Sequence, residues 1–157
     1  MVARLKSRYL YILLVIFLAT FGFWGICHAI IYGYIPNSGD NTVSVINTGA
    51  GIVTNAPTLD SEPFGVTTSP SGDYIYVTNK TSNTVSRIDS QSLAIVSIGV
   101  STDPIGIAIS PDGAYAYVAN NDGNLSVINT ATNVVDDTVL VGTSLYGVAV
   151  HPSGEFI

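Results

Sequence analysis

The stretch GVTTSPSGDYIYVTN at residues 65–79 decides the fold, because the chain repeats it in altered form further along. It returns as GIAISPDGAYAYVAN at residues 106–120, and a third copy begins as GVAVHPSGEFI at residues 147–157. The copies start at positions 65, 106 and 147, so the period is 41 residues. A fixed period of about 20–50 residues is typical of repeat architectures. The sequence therefore predicts a row of similar structural units.

The copy at 106–146 predicts four short strands joined by turns. An apolar run at 106–110 leads into Ser-Pro-Asp-Gly, where Pro presets φ and Gly113 ends the turn. Alternating side chains predict half-buried strands at 115–120, 125–129 and 134–142, and Asp-Gly before the third strand is a strong hairpin signal. We expect a β-branched residue at Gly113 or Gly123 to be strained, at about 1–3 kcal/mol for Gly123→Val.

Four antiparallel strands in each period predict a blade of a β-propeller, and so an all-β fold. Complete blades are expected at 65–105 and 106–146, the former with strands at 65–69, 74–79, 84–89 and 93–99. Residues 30–64 match the repeat from its second strand onward, and 147–157 supply one first strand. The prediction is twelve strands, or about three blades of an incomplete propeller.

Several linked motifs resemble one repeat family. Tyr76-Val-Thr-Asn79 is the signature of the YVTN β-propeller repeat family, and the segments SPDG at 110–113 and NTVSVI at 41–46 are also similar to it. The resemblance covers residues 29–157. It implies a secreted or cell-surface propeller, commonly of about seven blades, as in archaeal and bacterial surface-layer proteins. It implies no catalytic residues, because the family has no common reaction.

The N-terminus predicts export. Arg4, Lys6 and Arg8 precede an uncharged apolar run at 10–26, and Cys27 ends that run as part of the leader. Residues 1–29 fit either a cleaved signal peptide or a retained apolar helix that anchors the chain. Membrane contact is expected only through residues 9–27, if the leader is retained. Both alternatives place the repeats at the cell surface or outside the cell.

The charge of the repeats excludes one class of partner. Beyond residue 29 two basic residues, Lys80 and Arg87, stand against eleven acidic ones, a net charge of −9. Such a surface has no basic patch to replace the counterions of a phosphate backbone, so nucleic acid is not an expected partner. The acidic surface is also a poor match for anionic lipid headgroups.

The strand count predicts an incomplete ring, because propellers need about 4–8 blades and each blade buries its faces against neighbours. A truncated reading frame is the first interpretation of this deficit. Two others stay open: two copies that close a six-blade ring, and an open wedge of three blades. The expected partner is an unidentified surface-layer or other protein, or a second copy that covers the exposed blade faces.

Polar residues in the turns carry no metal-site pattern. His151 replaces the Ser of a Ser-Pro turn, and its nearest acid is Glu155. A lone His predicts a turn residue and not a metal ligand. Asp40, Asp112 and Asp122 lie in Gly-containing turns and match no calcium loop, so we expect turn formers there. No cofactor or metal is predicted.

The remaining candidates are aromatic pairs and glycan acceptors. The tyrosine pairs, two residues apart on a strand, suggest a sugar-stacking stripe but more simply predict packing of one blade face. Asn79 and Asn124 fit the N-glycan acceptor pattern, which also arises by chance in an Asn- and Thr-rich chain. The pairs are Tyr32 and Tyr34, Tyr74 and Tyr76, and Tyr115 and Tyr117.

These observations predict an exported β-propeller module with a structural or protein-interaction role, not an enzyme. The alternative is part of a lactonase-like or other hydrolase-type propeller enzyme, which needs acids, a His or a metal near the central channel. The predicted first strands, which line that channel in propellers, carry hydroxyls and His151 but no carboxylate. No catalytic, cofactor-binding or metal-binding residue is therefore assigned.

Overall fold

Eleven β-strands make up the part of the chain that the computed structural model describes, residues 31–155 and 157. The strands are short and joined by tight turns, as the repeat pattern predicts. They are β1 Tyr32–Asn37, β2 Thr42–Asn47, β3 Ile52–Thr58, β4 Pro63–Thr68, β5 Tyr74–Asn79, β6 Thr84–Asp89, β7 Ile95–Gly99, β8 Pro104–Ile109, β9 Tyr115–Asn120, β10 Asn124–Asn129 and β11 Val134–Leu140.

The strands form three antiparallel sheets, and in each sheet neighbours in sequence are neighbours in space. Blade 1 contains β1 to β3, blade 2 contains β4 to β7, and blade 3 contains β8 to β11. The all-β fold, the four-stranded blades and the missing first strand of blade 1 are confirmed. The predicted leader at 1–29, with its apolar helix and Cys27, lies outside the described residues. Within the described part, no helix is long and apolar enough to cross a membrane.

One predicted strand is not formed and several others have different bounds; the first strands of blades 2 and 3, for example, begin at Pro63 and Pro104 and not at residues 65 and 106. Residues 146–148 lie beside Gly106 of β8, but residues 147–151 form no strand, because a ladder needs a paired neighbour and no described strand pairs with them. The fourth strand of blade 2 begins at Ile95 and not at residue 93. Leu93 has a φ of +60°, and its N–H donates to the carbonyl of Asp89, so it belongs to the preceding turn.

The strand β5 is buried on both faces, and not on one as the alternating pattern predicts. In β5, Ile75 and Val77 pack with the cluster that joins blade 2 to blade 1, whereas Tyr76 packs with Ala116 and Val118 of blade 3. Every residue of β5 after Tyr74 is buried. Burying such side chains stabilises by about 1.5–3 kcal/mol each, so the blades hold one another together.

Glycine turns close the first hairpins of blades 2 and 3, and the same turn recurs at Gly154. Gly72, Gly113 and Gly154 have φ near +76 to +79°, and their N–H groups donate to the carbonyls of Ser69, Ser110 and His151. The predicted turn at Gly113 is thus confirmed. Gly123 ends the second hairpin of blade 3 with a φ of +95°, as the Asp-Gly signal predicts.

Candidate functional site

Blades 2 and 3 meet at a glycine of the first strand. A Cβ atom at Gly65 would overlap the carbonyl oxygen of Ile105 in the next blade. The Gly65 N–H donates to Thr78 Oγ1 over 2.8 Å, and that hydroxyl donates to the Ile105 carbonyl over 2.9 Å. Thr78 is fully buried. Any side chain at position 65 would therefore separate the two first strands.

The same contact recurs one period later. A Cβ atom at Gly106 would lie 2.7 Å from Gly147 Cα and 2.9 Å from the carbonyl oxygen of Tyr146. Within residues 145–150, which we call the terminal stacking segment, the backbone of residues 146–148 thus lies against Gly106 of β8, much as Ile105 of β8 lies against Gly65 of β4. At Gly147 itself, no described atom lies within 4 Å of the equivalent position. The repeated contact surface is open at this third glycine.

Polar ties between blades follow the same period. Asn41 Oδ1 accepts a hydrogen bond of 2.9 Å from the N–H of Glu62, and Asn83 Oδ1 accepts one of equal length from the N–H of Asp103. Both asparagines have left-handed backbones, with φ of +55° and +57°. Asn tolerates this conformation better than most residues. A turn of one blade therefore accepts a hydrogen bond from the segment that leads into the next blade.

The Asn of the repeat signature ties two strands together. Asn37, Asn79 and Asn120 each donate from Nδ2 to the hydroxyl of a serine on the neighbouring strand, every time over 2.9 Å. Asn79 and Asn120 have no exposed surface. Asn79 is thus not accessible to a glycan, which excludes that acceptor site. Asn124 is half-buried and donates to Ser101 Oγ over 3.4 Å.

The tyrosine pairs face the following blade. The inner tyrosines Tyr34 and Tyr76 belong to the two inter-blade clusters, and Tyr76 is only 1% exposed, so the packing interpretation is confirmed for them. Burial raises the pKa of the Tyr76 hydroxyl; the Arg87 charge opposes this rise and Tyr74 adds to it. The outer tyrosines line notches whose opposite wall is the Gly-containing turn of the next repeat.

The notch between blades 2 and 3, which we call the Arg87 notch, has a volume of about 360 Å³. Arg87 Cζ lies 4.1 Å from the centroid of the Tyr74 ring, within cation–π distance, and its Nη1 donates to Asn133 Oδ1 over 2.9 Å. The lining comprises Ser69, Pro70, Ser71, Tyr74, Tyr76, Arg87, Asp112, Gly113, Thr130 and Ala131.

The turn acids stabilise turns. Asp112 Oδ1 accepts hydrogen bonds from Ser110 Oγ and the Ala114 N–H, and these bonds lower the pKa of Asp112. Burial acts to raise the pKa of Asp122, but hydrogen bonds led by that from Ser101 outweigh it and lower the pKa. Because these folded-state pKa values are lowered, the stabilisation is present above the usual Asp pKa and is lost as the pH falls.

The other predicted site residues also lie in turns. The Asp40 N–H donates to the Asn37 carbonyl. His151 Nδ1 lies 2.8 Å from Ser153 Oγ, and that hydroxyl donates to Glu155 Oε2 over 3.3 Å. Within residues 31–155 and 157, no three His, Cys, Asp or Glu side chains are close enough to hold a metal ion. The structure brings none of the predicted residues together as a reactive centre within that part of the chain.

Sequence reasoning missed the contacts between blades. Gly65, Gly106 and Thr78 were treated as parts of strands, although they determine how closely the first strands approach. The signal was present, because the three copies that include a first strand all begin with Gly, at positions 65, 106 and 147. Arg87 was not predicted as a site residue, although it replaces the valine that the other copies have at this position, Val45 and Val127.

Comparison with known proteins identifies the fold. No protein-family profile and no curated protein matches the chain. A structure of Kuenenia stuttgartiensis hydrazine synthase aligns with a TM-score of 0.74 and 28% identity over 78% of this chain. A functionally unknown protein from Desulfotomaculum acetoxidans DSM 771 aligns with a TM-score of 0.70 and 16% identity over 77% of this chain. Dihydro-heme d1 dehydrogenase NirN aligns with a TM-score of 0.59 and 20% identity over 69% of this chain.

The structural neighbours are of β-propeller type, so the three sheets are blades of a β-propeller module. The matched region covers 36% of the hydrazine synthase chain, 40% of the Desulfotomaculum protein and 23% of NirN. The chain thus spans well under half of each protein it resembles.

Proposed function

We propose that this chain is an exported or cell-surface β-propeller module of the YVTN type, with a structural and protein-interaction role and no catalysis. The observation that carries the proposal is the glycine contact between blades. It is filled at Gly65 and Gly106 and open at Gly147 within the described part of the chain. A surface that twice receives the same repeat is suited to receive it a third time.

A second copy of the chain is the proposed occupant of the terminal stacking segment. The two filled contacts are made between repeats of this same sequence, so another copy presents matching strands. The segment is also apolar and accessible, since Tyr146 is 72% exposed and the nearby Leu140 and Val141 are exposed too. Apolar surface of this kind drives association.

Gly147→Ala tests this function. Its Cβ would meet no described atom, so we expect the midpoint of unfolding of the chain to stay unchanged. The same Cβ would obstruct the backbone of a docked copy, so association should weaken by about tenfold or more. Sedimentation velocity of the purified full chain in mild detergent measures the amounts of single and associated chains.

Gly99→Ala is the matched control, because its Cβ also meets nothing within 4 Å and it lies on β7, away from the terminal stacking segment. It should leave association unchanged. A full chain that is monomeric at all concentrations, or equal association of the two variants, would refute the stacking proposal.

The proposed location has its own test. The basic residues Arg4, Lys6 and Arg8 favour a cytoplasmic start, and the repeats should follow on the other side of the membrane. A periplasmic-type phosphatase fused after Ile157 should therefore be active, and a fusion that folds only in the cytoplasm should not. The reverse pattern would contradict export.

A further inference from the structure

Three notches of the same kind follow the row of blades. Each is lined by the tyrosine pair of one blade and the Gly-containing turn of the next repeat, and their volumes are about 570, 360 and 390 Å³. The Arg87 notch is the one of these three whose described lining includes a basic side chain. Val45 lines the first notch at the equivalent position. Blade 2 thus carries a polar variant of a repeated cavity.

Arg87 is held in place before any ligand arrives. The Tyr74 ring lies 4.1 Å below its guanidinium carbon, and Asn133 of blade 3 fixes Nη1. Since a free Arg side chain loses conformational entropy when a ligand orders it, these contacts lower the entropic cost of binding. One nitrogen is bonded to Asn133, and the remaining N–H groups of the fork have no partner among the described residues.

Hydrogen-bond acceptors stand close to these donors. Both bonds to Asp112 use Oδ1, so within the described part Oδ2 accepts no hydrogen bond. The Ser71 and Tyr76 hydroxyls add groups that both donate and accept. Asp89 is near enough that the Arg87 charge helps to lower its pKa, after the bonds from Ser92 and Gln91. Asp112 is thus the one carboxylate among the described residues that line the notch with Arg87.

We propose that the Arg87 notch binds one ring of a neutral saccharide. The N–H groups of Arg87, the carboxylate of Asp112 and the Ser71 and Tyr76 hydroxyls together match a ring with several hydroxyl groups. The carboxylate of Asp112 balances the single positive charge of Arg87, so the site has no net charge that would favour an anionic sugar. A volume of 360 Å³ lies at the small end of ligand pockets, about 300–1,000 Å³, and suits one ring.

Calorimetric titration of the full chain tests the site, in a detergent without a sugar headgroup. The probes are maltose, cellobiose, diacetylchitobiose and, as the anionic counterpart, glucuronate. We expect at least one neutral sugar to bind with a dissociation constant of about 1–10 mM, because one ring offers few contact atoms. Glucuronate should bind more weakly. Arg87→Val, the residue of the other two copies, should weaken binding about tenfold or more.

Lys80→Ala is the control, since it removes the other positive charge of the repeats at a turn where Lys80 pairs with Glu62 over 3.7 Å. It should bind like the original chain. Thermal unfolding of Arg87→Val separates lost binding from lost structure, and Tyr74→Phe serves as a milder second variant that keeps the cation–π contact. No binding of any neutral probe, stronger binding of glucuronate, or unchanged binding by Arg87→Val would overturn the proposal. Self-association through the terminal stacking segment is measured separately and is untouched by these outcomes.

Discussion

We expect Gly65→Ala to lower the free energy of unfolding by about 3 kcal/mol, the upper end of the range for overpacking. The added Cβ would overlap the carbonyl oxygen of Ile105, which belongs to backbone and not to a flexible side chain. Relief requires that blades 2 and 3 move apart, which also stretches the bond from Thr78 to the Ile105 carbonyl. Denaturant unfolding followed by circular dichroism measures the change.

Gly99→Ala is again the comparison, because its Cβ meets no described atom within 4 Å. Neither position has a positive φ, so the two variants share the same change in backbone freedom and differ in the overlap alone. Similar midpoints for the two variants would show that the first strands do not approach each other as described.

Gly123→Val should cost more than the 1–3 kcal/mol that the turn pattern alone predicts. Two effects combine at this position. The φ of +95° is strained for any β-branched residue, at about 1–3 kcal/mol, and a Cβ would overlap the carbonyl oxygen of Gly142 at the end of blade 3. We expect a total above about 3 kcal/mol, read from the shift in the denaturant midpoint.

Gly113→Val isolates the first effect. Its φ of +76° brings similar strain, but a Cβ there would lie 3.4 Å from Pro70 Cδ, an ordinary contact. The loss should therefore stay within about 1–3 kcal/mol. If Gly113→Val costs as much as Gly123→Val, the overlap with Gly142 has no energetic weight.

The repeat period predicted the strands well because strands and tight turns depend on local chemistry. Gly113 and Gly123 were predicted in turns from their neighbours alone, and the structure confirms both positions. Packing between blades is not local. Nothing within residues 74–79 distinguishes a strand covered on one face from one covered on both, so the double burial of β5 was missed.

The candidate site was less predictable for the same reason. The Arg87 notch joins residues from two blades, and its guanidinium meets Asn133, which is 46 positions away. The sequence shows Arg87 only as an exception among valines. Its contact with Asn133 forms only when blades 2 and 3 pack against each other. The turn acids, in contrast, were assigned correctly, because Ser110 and Ala114 lie within two residues of Asp112.

The glycine contact between blades also has a direction. The first strand of one blade accepts the first strand of the next on one side only, so the two surfaces that meet are different. An interface between two different surfaces is called heterologous, and one of each surface stays unpaired at the ends of a stack. If copies stack as proposed, each copy that docks at Gly147 would bring its own open glycine. Growth would then stop only where the rotation between copies closes a ring, and would otherwise continue as a filament.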